Sequence, residues 1–167
     1  MPIRDERSTD HSTIASLHRA VFRGDYEADL VDALRRNELV LASLVALQDE
    51  RIVGHIMFSA LRLEVEGRDV AAACLAPLAV ATDFQRKGYG SSLVKSGIEA
   101  LRVRGCKAII VLGHPDYYQR FGFSADLTSK LIAPFGGPAF MGLELFPGVL
   151  AGQPGSVTYP PAFGIAG

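Results

Sequence analysis

The chain has 167 residues, 49% of them hydrophobic and 21% charged, with a formal net charge of -1 and a pI of about 6.4. That balance describes a folded globular protein and excludes a disordered one. No global basic field exists to favour a nucleic-acid partner, and the length suits one domain over 1–167.

The first residues, Met1-Pro2-Ile3-Arg4-Asp5-Glu6-Arg7, are charged, and no apolar signal-peptide core follows them. Ile3 to Arg7 reads as a short first strand. Asp10 is placed to cap a helix that runs to Phe22, with Ile14, Leu17 and Val21 on one face at spacings of three and four. Gly24 breaks that pattern, and Glu27 to Arg36 reads as a second helix with Leu30, Val31 and Leu34 inward. Leu39 to Leu47 is rich in Val and Leu and reads as a strand, with Asp49-Glu50 as the turn after it. Arg51 to Leu63 is the next strand, carrying Ile52, Ile56 and Phe58 on one face. Glu66-Gly67-Arg68 signals a hairpin. Val70 to Val80 is nearly continuous in apolar residues, as a strand covered on both faces would be. The longest apolar run, Val70 to Ala81, is shorter than the about 20 residues a membrane span needs, and Pro77 interrupts it. A cytoplasmic protein with no membrane partner is the expectation.

Leu78-Ala79-Val80 ends that strand, a short turn follows, and Gln85-Arg86-Lys87-Gly88-Tyr89-Gly90-Ser91 opens a helix. This order builds an anion site. The first N–H groups of a helix have no partner within it, and the helix dipole is positive at that end. Gly88 and Gly90 lack a Cβ, so a phosphate can approach the backbone, and Arg86 and Lys87 add charge beside it. Two other phosphate motifs fail here. A Walker loop needs four residues between its glycines and a Lys-Ser/Thr after the second, and a dinucleotide fingerprint needs a glycine where Leu93 stands.

Tyr89 to Arg104 reads as a strong helix with Leu93, Val94, Ile98 and Leu101 as its apolar stripe and Gly105 as its C′ residue. Lys107 to Leu112 is a β-branched strand, so the unit from Cys74 to Leu112 implies a parallel pair with a right-handed crossover. A short helix over Asp116 to Phe121 and a strand after Phe123 are expected, and Ala139 to Leu145 reads as the last strand. Residues 146–167 are rich in Gly and Pro yet carry Val149, Leu150, Tyr159 and Phe163, which predicts an ordered tail. Cys74 and Cys106 read as buried apolar residues, and no Cys or His pair has metal-ligand spacing.

Gln85-Arg86-Lys87-Gly88-Tyr89-Gly90 matches a Gln/Arg-x-x-Gly-x-Gly/Ala pattern, and Tyr117-Tyr118-Gln119-Arg120-Phe121-Gly122-Phe123 an aromatic-Tyr-x-x-x-Gly-Phe pattern. With the strand from Cys74 to Val80 before them, these resemble the three ordered motifs of the GCN5-related N-acetyltransferases, the GNAT superfamily. The resemblance spans roughly Ile3 to Phe123, and Val53-Gly54-His55-Ile56 and Leu75-Ala76-Pro77-Leu78-Ala79-Val80 resemble a bacterial branch of it.

The resemblance implies an α/β (α+β) fold: one domain with a mixed central sheet, helices on both faces, and strands four and five parallel and splayed. Acetyl-CoA is the implied co-substrate. Its diphosphate would lie on the backbone of Gln85 to Ser91 and its pantetheine arm along Leu78, Ala79 and Val80. Pro77, which has no N–H, suits a strand that leaves room for such a guest. A neutral amine would attack the thioester, backbone N–H groups would meet the oxyanion, and Tyr118 would supply a proton to the departing thiolate. His55, Glu64 or water is left as the base. His114 departs from the family, where a polar residue such as Asn is common. The acceptor, a small-molecule or peptide amine, stays open, as does a homodimer. Two alternatives stand beside this reading: a non-catalytic acyl-CoA sensor, and a thiol hydrolase built on Cys106 or Cys74 with His114.

Overall fold

The computed structural model describes residues 2–165. They fall into two compact units, one formed by residues up to Ser59 with Ala76–Leu101, the other by Ala60–Leu75 with Arg102 onward. Two long strands run through both.

In the first unit, β1 (Ile3–Asp5) lies antiparallel to β2 (Val40–Gln48), and β2 antiparallel to β3 (Arg51–Val65). Asp49 and Glu50 make the β2–β3 turn with φ of 49° and 65°. Positive φ at both turn positions matches the twist of a tight hairpin. Side chains alternate across β3, and the helices read that alternation directly. His55 meets His18 of α1 (His11–Phe22) on one face. On the opposite face, a Cβ added at Gly97 of α3 (Tyr89–Val103) would collide with the ring of Phe58, and one at Gly54 would lie 2.9 Å from Leu93. Glycine at 54 and 97 therefore sets how closely α3 approaches the sheet. A second helix, α2 (Tyr26–Arg36), packs with α1 and buries Ala28, Leu30, Val31 and Leu34.

The second unit holds the far part of β3, the first part of β4 (Arg68–Val80), and β5 (Ala108–Leu112). Ala72–Cys74 pair in parallel with Ala108–Ile110, as the strand–helix–strand reading required. The recorded pairing stops there, although β4 continues to Val80. The Ala76–Pro77 peptide is cis. The short helix α4 (Pro115–Tyr118) follows β5. Further on come β6 (Leu131–Ile132), β7 (Phe140–Glu144) and β8 (Gly155–Thr158). The strand order is β1-β2-β3-β4-β5-β7, with β8 paired to β3 and to β6.

Three local expectations need correction. Asp10 does not cap α1 with its side chain: its carboxylate is taken by the Arg4 guanidinium at 2.7 and 3.2 Å and by the Arg7 N–H at 2.7 Å. A charged donor outcompetes a neutral helix N–H. No strand begins directly after Phe123. Ser124 makes an isolated bridge to Gly142, and local side-chain bonds then win: Ser124 Oγ accepts from the Asp126 N–H, and the Thr128 hydroxyl bonds Ala125 and Phe140 carbonyls. The strand at 140–144 is not the last. Within the Gly/Pro-rich tail, β8 pairs Ser156 with Glu64, and Gly155 lies so close to the Glu64 carbonyl that no Cβ fits there.

Candidate active site

The anion loop belongs to the first unit. Leu78 and Val80 are half-buried and Ala79 is buried at the end of β4. A 3-10 turn, Thr82–Phe84, follows, and the Gln85 side-chain amide donates back to the Val80 carbonyl at 2.9 Å. Gln85 thus ties the loop to the strand end, a role the sequence did not suggest. Arg86 and Gly88 both take positive φ, 62° and 92°. The second value suits glycine and strains any residue with a Cβ. The Gly88 carbonyl accepts the Ser92 N–H at 3.0 Å, which is the first turn of α3. Tyr89, Gly90 and Ser91 therefore supply first-turn N–H groups, the kind that have no acceptor inside their own helix. The first turn carries no acidic side chain to compete for them. Gln85, Arg86, Lys87 and Gly88 are exposed. Lys87 Nζ rests 5.5 Å from the Phe84 ring, which meets Tyr89 edge to face. A helix N-terminus, a glycine-specific turn and two cations suit a diphosphate.

Tyr118 belongs to the second unit. The His114 carbonyl accepts the N–H groups of Tyr117 and Tyr118 at 3.1 Å, which starts the short helix that carries the ring. Gly113 makes room: a Cβ there would lie 2.5 Å from Cε2 of Tyr118. The Tyr118 ring is held edge to face by Tyr117 and Phe123, with centroids 5.0 and 5.7 Å away. Burial pushes the phenol up from its ordinary value, and Tyr117 and Cys74 push it the same way. At neutral pH the hydroxyl keeps its proton and can donate it. Cys74 is buried and its thiol is pushed up to about 12 by that burial, and Cys106 is also raised. Neither is a thiolate nucleophile in this state, which removes the footing of the thiol hydrolase.

The sequence-derived bases fall in separate places. Glu64 is half-buried on β3, opposite Ser156. His55 is fully buried, and both its ring nitrogens are engaged, Nε2 with Ser43 Oγ and Nδ1 with His18 Nε2, each at 2.8 Å. It belongs to a polar cluster that sequence reasoning missed. The Ser43 hydroxyl donates to Glu6, Arg35 holds both Glu6 oxygens at 2.8 and 2.9 Å, and His11 Nε2 lies 3.2 Å from Glu6 Oε2. Glu6 is pulled well below the usual carboxylate range: burial opposes this, but His55, Arg35 and Ser43 outweigh it. Burial holds His55 below the ordinary histidine value and lowers His18 to about 3, with His55 and Arg35 adding to the effect on His18. The signals were present as a histidine on the buried stripe of α1 and a serine inside an aliphatic strand.

Among the described residues no three His, Cys, Asp or Glu side chains gather as a metal ion would need, and no helix is long and apolar enough to cross a membrane.

The family model described as Acetyltransferase (GNAT) domain matches residues 2–125. The chain is 35% identical over 162 residues to the protein named Uncharacterized N-acetyltransferase YhbS of Escherichia coli (strain K12), a match covering 95% of this chain and 96% of that one. The crystal structure of GNAT family N-acetyltransferase YhbS from Escherichia coli in complex with CoA superposes with a TM-score of 0.88 at 34% identity, over 99% of this chain and 93% of that chain. A GNAT family acetyltransferase from Brucella melitensis, solved with acetyl-CoA, gives a TM-score of 0.80 at 32% identity over 97% of each. Sequence and fold agree along nearly the whole length, and the chain belongs to the GNAT family of acetyltransferases.

Proposed function

We propose that this chain is an acetyl-CoA-dependent N-acetyltransferase that moves an acetyl group directly onto a primary amine in a ternary complex. The observation that carries the proposal is the loop Gln85–Ser91, where a left-handed, exposed Gly88 opens the first turn of α3 beside Arg86 and Lys87. Two similar proteins were solved with CoA or acetyl-CoA bound, which supports the choice of ligand. The family match spans parts of both units, which supports one acetyltransferase domain over the chain.

Acetyl-CoA supplies an activated acyl thioester. The backbone of Arg86 to Ser91 binds its diphosphate, with Gln85 fixing the loop to the strand. Leu78, Ala79 and Val80 offer main-chain groups to the pantetheine amides; the recorded β4–β5 pairing ends at Cys74, short of them. Tyr118 holds a proton and gives it to the departing sulfur. With both its ring nitrogens engaged, His55 does not serve as the base, and the amine loses its proton to Glu64 or water.

The test is release of free thiol from acetyl-CoA against a panel of small-molecule and peptide amines. Amine-dependent release is expected. Tight binding of acetyl-CoA with no release for any amine would favour a sensor instead.

A further inference from the structure

The Gly/Pro-rich tail places a second tyrosine on the sheet. Strand β8 lies antiparallel to β3, with Val157 opposite Leu63 and Thr158 opposite Arg62. Alternation sends Tyr159, the residue after Thr158, to the side that Val157 and Leu63 share, and both of these are buried. The two-residue turn Glu66-Gly67, with φ of 51° and 80°, joins β3 to β4 and sets Val65 against Arg68. Counting away from that turn, Leu61 falls against Ala72, and Cys74 lies two residues further along β4 on the same side. Tyr159 therefore leaves β8 beside Leu61 and on the side of the sheet that carries the Cys74 thiol. Phe135 and Phe163 hold its ring edge to face, with centroids 5.6 and 5.3 Å away.

Tyr118 comes to the same thiol from the other edge. Cys74 pairs with Ile110 of β5, and β5 leads through Gly113 into α4 and Tyr118. Burial raises both phenols above their ordinary value, and Cys74 acts on each of them in the same direction. All of these residues belong to the second unit. The Cys74 thiol is itself pushed up to about 12, so three neutral, proton-bearing groups gather there at neutral pH. A neutral phenol donates one proton, and a phenol raised in this way does not serve as a base.

Two atoms gain negative charge when an amine attacks an acetyl thioester. The amine nitrogen bonds the carbonyl carbon while the C=O electron pair moves onto oxygen. When that pair returns, the C–S bond breaks, and the sulfur leaves with its electrons and takes the Tyr118 proton. The proton that the amine gives up restores Tyr118. A donor at the sulfur leaves the oxygen still to be met, and a second neutral phenol suits it. We propose that Tyr159 is a catalytic residue of the transfer step, its O–H donating to the acetyl carbonyl oxygen while Tyr118 serves the sulfur. The family model ends at residue 125, so this donor comes from the tail beyond it. The inference rests on the acetyltransferase reading above.

The test is the 13C spectrum of acetyl-CoA labelled at its carbonyl carbon and bound to the protein, with binding itself followed by calorimetry. A donor on the carbonyl oxygen moves that signal downfield of free acetyl-CoA. The shift is expected in the parent protein and in Tyr118→Phe, and its loss is expected in Tyr159→Phe. Against the amine panel, Tyr159→Phe should also lower kcat by about 10²–10³-fold, the usual worth of one oxyanion donor. A second measurement needs no substitution: with 3-fluorotyrosine in the parent chain, the Tyr159 fluorine resonance should differ between the CoA and acetyl-CoA complexes. A downfield shift that survives in Tyr159→Phe overturns the proposal, and so does a Tyr159 resonance blind to the acetyl group. Either result, with acetyl-CoA bound, strikes this inference alone; a parent protein that binds no acetyl-CoA strikes the acetyltransferase reading itself.

Discussion

In the proposed mechanism, Tyr118 is the residue on which turnover depends. Its ring is fixed by Gly113, Tyr117 and Phe123, and burial raises its phenol further above the ordinary value, so the hydroxyl holds its proton. Tyr118→Phe keeps that packing and removes only the hydroxyl. It should lower kcat by about 10²–10⁴-fold, the usual worth of a positioned acid, and leave acetyl-CoA affinity unchanged in calorimetry. Turnover equal to that of the parent protein across the pH range would remove Tyr118 from the role. The histidines of the first unit make a different prediction, on stability. His18 falls from an ordinary 6.5 to about 3 on folding, and His55 moves in the same direction. The unfolded chain therefore takes up protons before the folded one does. Their contribution is complete above pH 6.5 and is lost progressively as the pH falls toward 3. Glu6, also lowered, adds its own loss below 4.5. Urea midpoints measured from pH 7.5 to 4 should begin to drop near 6.5, before the carboxylates titrate; a flat curve down to 4.5 would contradict the buried neutral pair. At this scale the sequence was partly legible. A tyrosine in a seven-residue aromatic motif announces itself. Glu6, His18, Arg35 and Ser43 are far apart in the chain, and only the strand register and the packing of two helices bring them to His55.

At the scale of elements, the informative unit is the strand end, turn and helix from Leu78 to Val103. Its glycines act through the backbone, where side-chain substitution elsewhere in the loop has little grip. Gly90→Val places a branched side chain on the first turn of α3 and should abolish acetyl-CoA binding in calorimetry while the protein stays folded. Affinity retained within a few fold would count against the loop. Here the sequence was highly legible, because periodicity, glycine placement and turn residues all act locally: α3, its Gly105 stop at φ 85° and both tight hairpins follow from neighbours in the chain. The failures share one cause. Asp10 is drawn away by Arg4, the stretch after Phe123 is folded by Ser124 and Thr128, and β8 exists because Gly155 can press against Glu64. Each depends on a partner that no local pattern reveals.

For the whole molecule, sequence and fold place the chain in the GNAT family along nearly its full length. Both long strands, β3 and β4, contribute to each compact unit. A crystal structure of this protein grown with acetyl-CoA tests the central claim most directly. The diphosphate should be held by the main-chain N–H groups of residues 86–91, with the thioester sulfur within hydrogen-bonding reach of the Tyr118 hydroxyl. A coenzyme bound elsewhere, or a loop from Gln85 to Ser91 that closes on itself and touches no phosphate, would contradict it.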